Sequence, residues 1–539
     1  MWQPLGIVQP VQVPQEPSTN SSDEEGDLLL TASQIEELTL DLVAVRSVNG
    51  TPGEAAVVDL IASRLEGMRT ARRDLRLHLI RSAHDPLARP TLVAHSPGTG
   101  PTGVLLMGHI DTVGTEDYLE LEELATRPRE LTARAAQGAL GEEMATAARS
   151  GEWLFGRGVL DMKSGVAAAL GAFLDLAETQ PAGNLLFAAT PDEEGASYGV
   201  TALNEWLPDY LASEGIALGA VLNTDYTTGR PGDGGAMHAY AGSTGKLLPA
   251  VYVQGVPSHA AEPERGLDPN AVVAAITGEV AYSEELCDGS GAETAPPPVT
   301  LLQRDAKPFY DVQSARSAGA YYSLFHRQRT PHEQMERFVA QVRRGVENFA
   351  ARTRGLGLQG VRVLSFEELR AEADGAPIPD VQGLDVREGA RRIVAALVEQ
   401  AFPDQPIVVA YFAAPLIPSV ESAPWAAQAV ETAIRTEGVD YRLHRHYPYI
   451  SDLSFLAASP DWDDPGFAAN YPLAATGAER QLPPRLQLAP LMLGPYGFGA
   501  HQRVERVLRR HAFEVLPRLV HRAARELLSA QPTGKTTGR

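Results

Sequence analysis

A short motif directly after an apolar run contains two residues that could serve a metal site. The run VLLM continues into GHIDTVG, which holds His109 and Asp111. A histidine can bind a metal through one ring nitrogen while a carboxylate accepts a hydrogen bond from the other nitrogen and fixes the tautomer. A capping aspartate beside an ordinary histidine would give the same motif. The pair therefore indicates a metal site only in combination with similar motifs elsewhere in the chain.

A second motif, LFGRGVLDMKSG, presents Asp161 at the beginning of a predicted helix. Gly156 and Gly158 permit backbone conformations that side chains forbid, so the preceding loop can turn tightly. A plain helix N-cap is the alternative interpretation of Asp161. The motif lacks the residue order of a phosphate-binding loop, so nucleotide binding is not indicated.

Three consecutive acids, Asp192, Glu193 and Glu194, follow the apolar run NLLFAAT after a single proline. Their mutual repulsion must be offset, and a divalent cation would offset it. One carboxylate can bind the metal while its neighbour, with a pKa raised by its surroundings, takes a proton from an activated water. A solvated acidic turn is the alternative.

Two more candidates are Asp225 in LNTDY, after another apolar run, and His501 in GPYGFGAHQRVERV, at a predicted helix start. Either residue could be a helix cap. Taken together, however, the motifs supply two histidines and several carboxylates, which suit borderline-hard divalent ions with nitrogen and oxygen ligands. The absence of cysteine from these motifs excludes a thiolate-rich structural metal site.

The apolar runs that precede these motifs alternate with helix-like segments, a pattern typical of an α/β sheet. Ligands in such folds gather at the carboxyl ends of strands, where these polar residues lie. Between about residues 240 and 370 the pattern changes to two strand-helix pairs, which predicts an inserted α+β domain. The segments PIVVAYFAA and YRLHRHYPYISDLSFL are then predicted to resume the first pattern.

This organisation predicts a discontinuous catalytic domain. Its two parts are expected at residues 29–240 and 371–530, with a lid or dimerisation domain at 241–370 between them. The acidic, proline-rich residues 1–28 and the terminal residues 531–539 are predicted to be disordered tails. Residues 121–152 read as an insertion of undetermined role.

Composition limits the possible partners of the chain. Among its 539 residues, 68 acids outnumber 46 bases, which gives a net charge of −22. Such a surface repels phosphate backbones and anionic lipids, so neither nucleic acid nor a membrane is an expected partner. The chain shows no export signal and no run of 18 apolar residues, and a cytoplasmic location is expected. The single cysteine, Cys287, reads as an incidental thiol.

The ordered motifs resemble those of the di-zinc peptidase and amidohydrolase family that contains acetylornithine deacetylase, succinyl-diaminopimelate desuccinylase, aminoacylase and carboxypeptidase G. The segments WLFGRGVLDMKSG, PDEEGASYG and ISDLSFL are most similar to RocB-type arginine-utilisation proteins within that family. The resemblance implies an α/β catalytic domain with a mixed, mainly parallel sheet flanked by helices. It also implies that the inserted lid is an α+β domain of the ferredoxin-like kind.

The same resemblance implies roles for individual residues. His109 and Asp225 would hold one metal, Glu194 and His501 the other, and Asp161 would bridge both. Asp111 would orient His109, and Glu193 would be the general base. His259, in the lid segment GVPSHAAEPERGLDPNA, would stabilise the oxyanion, often in the partner subunit's site. A cis peptide bond is expected at Asp161-Met162.

These expectations together describe a hydrolase with two divalent ions. Zinc is expected, with cobalt or manganese as alternatives. The substrate would be a small N-acyl or N-carbamoyl amino acid or a short peptide, linked to arginine utilisation, and a homodimer could form through the lid. A ureido hydrolase and a catalytically silent amino-acid-binding regulator are the alternative functions. The roles of Arg327 and Arg329, which stand where relatives carry a D-x-R motif, are left open.

Overall fold

The fold is described from a computed structural model, which covers residues 30–69, 74–179, 182–229, 236–356, 360–476 and 484–531. The predicted tails 1–28 and 531–539 lie outside these described residues except for Gln531, which forms hydrogen bonds with Gly103 and Ala217. The strands are β1 Arg76–Ile80, β2 Thr91–Ser96, β3 Thr102–His109, β4 Trp153–Phe155, β5 Asn184–Thr190, β6 Ala217–Asn223, β7 Met237–Tyr240, β8 Gly242–Ser243, β9 Gly245–Leu247, β10 Pro249–Gln254, β11 Val299–Asp305, β12 Ser317–His326, β13 Arg362–Ser365, β14 Ile407–Phe412, β15 Val420–Glu421, β16 Tyr441–His444, β17 Ala489–Met492, β18 Gly497–Phe498 and β19 Arg506–Leu508.

The helices alternate with the strands over much of the chain. They are α1 Ala32–Ala44, α2 Gly53–Arg69, α3 Pro128–Ala136, α4 Glu142–Ser150, α5 Lys163–Thr179, α6 Tyr198–Glu214, α7 Pro269–Val280, α8 Pro331–Arg352, α9 Phe366–Glu372, α10 Val386–Ala401, α11 Pro424–Glu437, α12 Pro465–Asn470 and α13 Leu516–Ala530. Among the described residues, no helix combines the length and apolar character needed to cross a membrane.

The larger sheet has the strand order β1-β2-β5-β3-β6-β17-β7-β16. Its centre is parallel, because β3 runs parallel to both β5 and β6, and β6 runs parallel to β17. At one edge, β1 and β2 are antiparallel to their neighbours. The predicted mixed, mainly parallel sheet is therefore confirmed.

Helices cover both faces of the larger sheet. Alternate residues of β3 point to opposite sides, so that Val104 and Leu106 pack among α1, α5, α11 and α13, whereas Leu105 and Met107 pack against α6. Helix α5 is apolar on nearly every side and is almost entirely buried. That pattern is typical of a helix enclosed by others.

A second sheet has the strand order β11-β12-β10-β14-β13, with β9 paired to β12. The succession β10-α7-β11-β12-α8-β14 is the βαββαβ arrangement of a ferredoxin-like domain, as predicted. Helices α7 and α8 share one core with this sheet, and α9 and α10 share another. The segment β13-α9-α10 is an addition inserted before the last strand of the motif.

The prediction that PIVVAYFAA returns to the catalytic sheet is wrong. This segment forms β14, which pairs antiparallel with β10 and parallel with β13. Because β14 is buried along its whole length, its apolar run fits the centre of either sheet, and composition does not distinguish the two. The lid sheet therefore extends past the predicted limit at residue 370, whereas β16 does rejoin the larger sheet.

The insertion at residues 121–152 builds a small structure of its own. Helices α3 and α4 pack with Tyr118, Leu121 and Phe155 in a separate hydrophobic cluster. Strand β4, which follows the insertion, pairs with β19 near the end of the chain. The insertion is thus anchored to the segment that leads into Asp161.

Candidate metal centre

The candidate ligands meet at one edge of the larger sheet. His109 is the last residue of β3, while Glu193 and Glu194 follow the end of β5 and Asp225 follows the end of β6. Because β5, β3 and β6 are parallel neighbours, their carboxyl ends lie side by side. Two loops bring the remaining candidates to the same place, one with Asp161 before α5 and one with His501 after β18.

Potential ligand atoms at this edge form three overlapping groups, in each of which all atoms lie within 4.8 Å of one another. The groups are His109, Asp161 and Asp225; Asp161, Glu194 and His501; and His109, Glu193 and Glu194. The first two share only Asp161. Two sets of nitrogen and oxygen donors joined through one carboxylate fit a pair of divalent cations.

The two oxygens of Asp161 face different histidines. His109 Nε2 lies 3.0 Å from Asp161 Oδ1, and His501 Nε2 lies 3.0 Å from Asp161 Oδ2. His501 Nε2 is also 2.8 Å from Glu194 Oε1. His501 is 49% exposed, whereas His109 is buried, so the cluster opens to solvent on the His501 side. The Asp161-Met162 peptide bond is cis, as the resemblance predicts.

The carboxylates of the cluster disfavour one another's charge. Burial, followed by the nearby charge of Asp161, raises the pKa of Asp225 to about 8. Burial also raises the pKa of Glu193 well above its ordinary value. Hydrogen bonds to Asp161 and Glu194 raise the pKa of His501 to about 11. This accumulation of buried negative charge is the condition under which a bound cation is most favourable.

Asp111 holds the backbone of the two glutamates. Its carboxylate accepts hydrogen bonds from the backbone N–H groups of Glu193 at 3.1 Å and Glu194 at 3.0 Å. His109 Nδ1 lies 3.1 Å from the Asp111 carbonyl oxygen and 3.5 Å from its carboxylate. Asp111 therefore contacts both the predicted ligand and the segment that carries the predicted base.

The sequence did not predict the hydrogen-bond network that supports Asp111 and the acidic triplet. Asn49 Nδ2 donates to Asp111 at 3.0 Å and to Asp192 at 2.9 Å. The buried Arg89 donates to Asp192 at 2.7 Å and contacts Glu54 at 3.2 Å. Asn49, Glu54 and Arg89 lie far from the acidic triplet in the chain, and no local pattern links them to it. The first acid of the triplet, Asp192, thus anchors the turn on which Glu193 and Glu194 sit.

A group of tyrosines beside the cluster was also missed. Tyr226, directly after Asp225, stacks with Tyr449 at a ring-centroid distance of 5.6 Å. The Tyr447 hydroxyl donates to the Tyr226 carbonyl oxygen at 3.0 Å. Tyr447 and Tyr449 belong to YRLHRHYPYISDLSFL, a segment predicted from its apolar pattern to rejoin the catalytic domain but not to line the site. These rings form an aromatic wall next to Asp225.

His259 is not brought to the cluster. It is exposed in the lid, where its Nδ1 accepts a hydrogen bond from Ala261 N at 3.1 Å and its backbone bridges to Gln313. No contact joins it to the candidate ligands within the described part of the chain. Any role in this site would therefore require a lid movement or a second copy of the chain.

Arg327 and Arg329 are engaged inside the lid. The buried Arg327 donates from Nε to Thr244 Oγ1 at 2.9 Å and also contacts the Glu293 carbonyl oxygen. Arg329 donates to the Cys287 carbonyl oxygen at 2.6 Å. In this conformation both guanidinium groups support the lid structure.

Some proteins of known sequence resemble nearly the whole chain, and others resemble part of it. Protein RocB of Bacillus subtilis is 28% identical over 545 residues, covering 93% of this chain and 96% of RocB. Uncharacterized protein YqjN of the same bacterium is 29% identical over 530 residues, covering 91% of this chain and 95% of YqjN. A succinyl-diaminopimelate desuccinylase of Cereibacter sphaeroides is 39% identical over 141 residues, which are 26% of this chain and 35% of that enzyme.

Solved structures share the fold at lower identity. Aminopeptidase PepT from Bacillus cereus has a TM-score of 0.54 and 14% identity, covering 92% of this chain and 99% of its own. An M20 family metallo-carboxypeptidase from Sulfolobus solfataricus has a TM-score of 0.53 and 10% identity, covering 92% and 99%. Residues 105–463 of the chain match Peptidase family M20/M25/M40. The resemblance seen in the motifs is thus confirmed, and the chain belongs to this peptidase family and is a hydrolytic enzyme.

Proposed function

We propose that the chain uses a pair of divalent ions to hydrolyse an amide bond in a small amino-acid-derived substrate connected with arginine utilisation. The observation that carries this proposal is the sharing of Asp161 between two groups of potential ligands. A single structural metal would need only one such group. Membership of the peptidase family supports metal-dependent amide hydrolysis, and the similarity to RocB supports the narrower choice of substrate.

In this proposal His109, Asp161 and Asp225 hold one ion, and Asp161, Glu194 and His501 hold the other. Ions held there would polarise a scissile carbonyl and lower the pKa of water to about 7. Zinc binds both imidazole and carboxylate donors, and manganese or cobalt would also fit this set of ligands. The remaining chemistry depends on side chains of the protein.

Glu193 is proposed as the general base. Its side chain lies within 4.8 Å of ligand atoms of His109 and Glu194, and its backbone is held by Asp111. No hydrogen bond to its carboxylate is found among the described residues, which leaves the group available for a water. Glu193 would take a proton from this water and deliver it to the leaving nitrogen.

His259 is proposed to stabilise the oxyanion in the site of a second copy of the chain. Its exposure in the lid, outside the cluster, supports an action across a homodimer. The proposed role requires a hydrogen-bond donor aimed at the carbonyl oxygen as negative charge develops on it. Asp111 would keep His109 oriented and the Glu193 segment in place.

The test is substrate consumption by metal-loaded wild type and Glu193→Gln. Both proteins would be incubated with pooled N-acyl amino acids, N-carbamoyl amino acids and dipeptides, with mass spectrometry to follow each compound. The proposal expects selective loss of an N-acyl amino acid or dipeptide with the wild type. Loss of N-carbamoyl compounds alone would favour the ureido hydrolase. Two bound metals without any turnover in either protein would favour the amino-acid-binding regulator.

A further inference from the structure

The backbone of the loop that carries Asp161 is hydrogen-bonded to a buried glutamate. Glu505 is fully buried, and its Oε1 accepts hydrogen bonds from three backbone N–H groups of this loop. The donors are Gly158 at 2.8 Å, Leu160 at 3.2 Å and Asp161 at 3.3 Å. One carboxylate oxygen thus fixes the path of the backbone up to the residue shared by both groups of candidate ligands.

The second oxygen of Glu505 is also engaged. Glu505 Oε2 lies 2.7 Å from Nη1 of the buried Arg157. Arg157 in turn donates from Nε to the Gly114 carbonyl oxygen at 3.0 Å and from Nη2 to Asp117 at 2.8 Å. Arg157 offsets part of the cost of burying the Glu505 carboxyl, whose pKa burial still raises to about 7, while the other Glu505 oxygen holds the loop.

Glu505 also belongs to the turn that carries His501. Gln502 N donates to the Gly499 carbonyl oxygen and Glu505 N donates to the Gln502 carbonyl oxygen, both at 2.9 Å. Directly after Glu505, strand β19 pairs with β4, which leads into the Asp161 loop. The Glu505 carbonyl oxygen accepts from Gly156 N at 3.2 Å. The residues that follow the His501 turn are therefore paired with the residues that lead into the Asp161 loop.

We infer that Glu505 is a positioning residue for the metal pair: its carboxylate fixes the Asp161 loop through three backbone N–H groups, and so places that loop relative to the turn that Glu505 shares with His501. This inference rests on the proposed function, since it concerns ligands of the proposed ions. Glu505 touches no reacting atom. Its contribution is the placement of two ligands from distant parts of the sequence relative to each other.

Two substitutions separate this role from that of a simple buried ion pair. Glu505→Gln keeps an acceptor oxygen within reach of the three N–H groups but removes the charge opposite Arg157. Glu505→Asp keeps that charge but retracts the carboxylate by one methylene group from the loop. Glu437→Gln is the matched control, because the Glu437 side chain is only 8% exposed and pairs with Arg518 and Arg522 far from the cluster.

The measurement is zinc affinity by competition with a chromophoric chelator, on full-length proteins shown to be folded by circular dichroism. Residues that orient metal ligands typically contribute about 10- to 100-fold in affinity. We expect Glu505→Asp to weaken zinc binding by about 10- to 100-fold and Glu505→Gln by no more than about 10-fold, the lower end of that range. Glu437→Gln should bind zinc as wild type does. An ion-pair role alone predicts the reverse order, with Gln weaker than Asp.

Wild-type zinc affinity in both Glu505 variants, or greater loss with Gln than with Asp, would overturn the inference alone. A wild-type chain that bound no zinc would overturn the proposed function together with this inference. If Glu505→Asp does not fold, the comparison of Glu505→Gln with Glu437→Gln decides. Equal affinities of these two proteins would then contradict the inference.

Discussion

At the scale of single residues, Asp161 has the most demanding position in the cluster. Each of its oxygens faces a different histidine at 3.0 Å, and its backbone N–H is bound to a buried glutamate. Burial acts against its charge, yet hydrogen bonds from His109 and His501 lower its pKa. The residue is therefore built to stay ionised between two positive groups.

This position predicts different effects for two superficially similar substitutions. Asp161→Asn should abolish binding of both ions, because it removes the charge that the two groups share. Asp225→Asn should remove one ion and leave the other, since Asp225 belongs to only one of the two groups. Metal content per chain after gel filtration, measured by plasma mass spectrometry, tests both predictions. Retention of two ions by Asp161→Asn would contradict the shared role.

Residue types also explain which parts of the site could be predicted. His109, Asp225 and the two glutamates lie at the ends of neighbouring parallel strands, so strand order brings them together, whereas loops bring in Asp161 and His501. Glu505, Arg89 and Asn49 act through contacts made only in the folded chain, at separations of 344 residues for Glu505 and Asp161 and 143 for Asn49 and Asp192. No local pattern marks such residues as part of the site.

At the scale of elements, β14 shows that an apolar run can predict a strand without predicting the sheet to which it belongs. The run predicts a buried strand correctly, but not which sheet contains it. The distinction depends on pairing with β10 and β13, strands more than 40 residues away in the chain. By contrast, β3, β5 and β6 could be assigned to one sheet because helices separate them in regular succession.

The assignment of β14 to the lid predicts that its core can be weakened without loss of the metals. Phe412 is fully buried and stacks on Phe467 at 5.0 Å in the lid core. Phe412→Ala should destabilise the lid by about 3–5 kcal/mol, the range for such truncations. Zinc stoichiometry should stay unchanged, because the candidate ligands lie on the other sheet. Thermal unfolding and metal analysis together test this, and loss of zinc from a folded variant would contradict it.

At the scale of the whole molecule, the charges of the metal-free site should make stability depend on pH. Burial raises the pKa of Asp225 from 3.8 to about 8 and also raises the pKa of Glu194. Between these two pH values the folded chain keeps protons that the unfolded chain releases. These site groups therefore make the metal-free protein less stable as pH rises, against the opposite effect of buried His511, whose pKa burial lowers to about 3. The lowered pKa of Asp161 acts only below its ordinary value of 3.8, outside this window.

We therefore expect the thermal midpoint of metal-free protein to be lower at pH 7 than at pH 5, by about 2 °C or more. Zinc-loaded protein should not show this decrease, since the cations keep the carboxylates ionised at both pH values. Differential scanning fluorimetry of both forms is the measurement. A metal-free protein that is equally stable, or more stable, at pH 7 would contradict this account.

The position of His259 predicts that two copies of the chain complete each other's sites. His259→Ala and Glu193→Gln should each be nearly inactive alone, since an oxyanion donor typically contributes about 10²–10³ and a general base about 10²–10⁴ to the rate. A mixed dimer of the two variants contains one site with both residues intact. After random subunit exchange, a 1:1 mixture should regain about a quarter of wild-type activity. No recovery in the mixture, despite demonstrated exchange, would contradict action across a dimer.

The most direct test of the two-metal account is anomalous X-ray diffraction from zinc-loaded crystals of Glu193→Gln. Because Glu193 is proposed as the base and not as a ligand, the variant should retain both ions. The account predicts two zinc peaks on either side of the Asp161 carboxylate, about 3.5–4 Å apart. One of these peaks should contact His109 and Asp225, and the other Glu194 and His501. A single peak, or peaks away from Asp161, would contradict it.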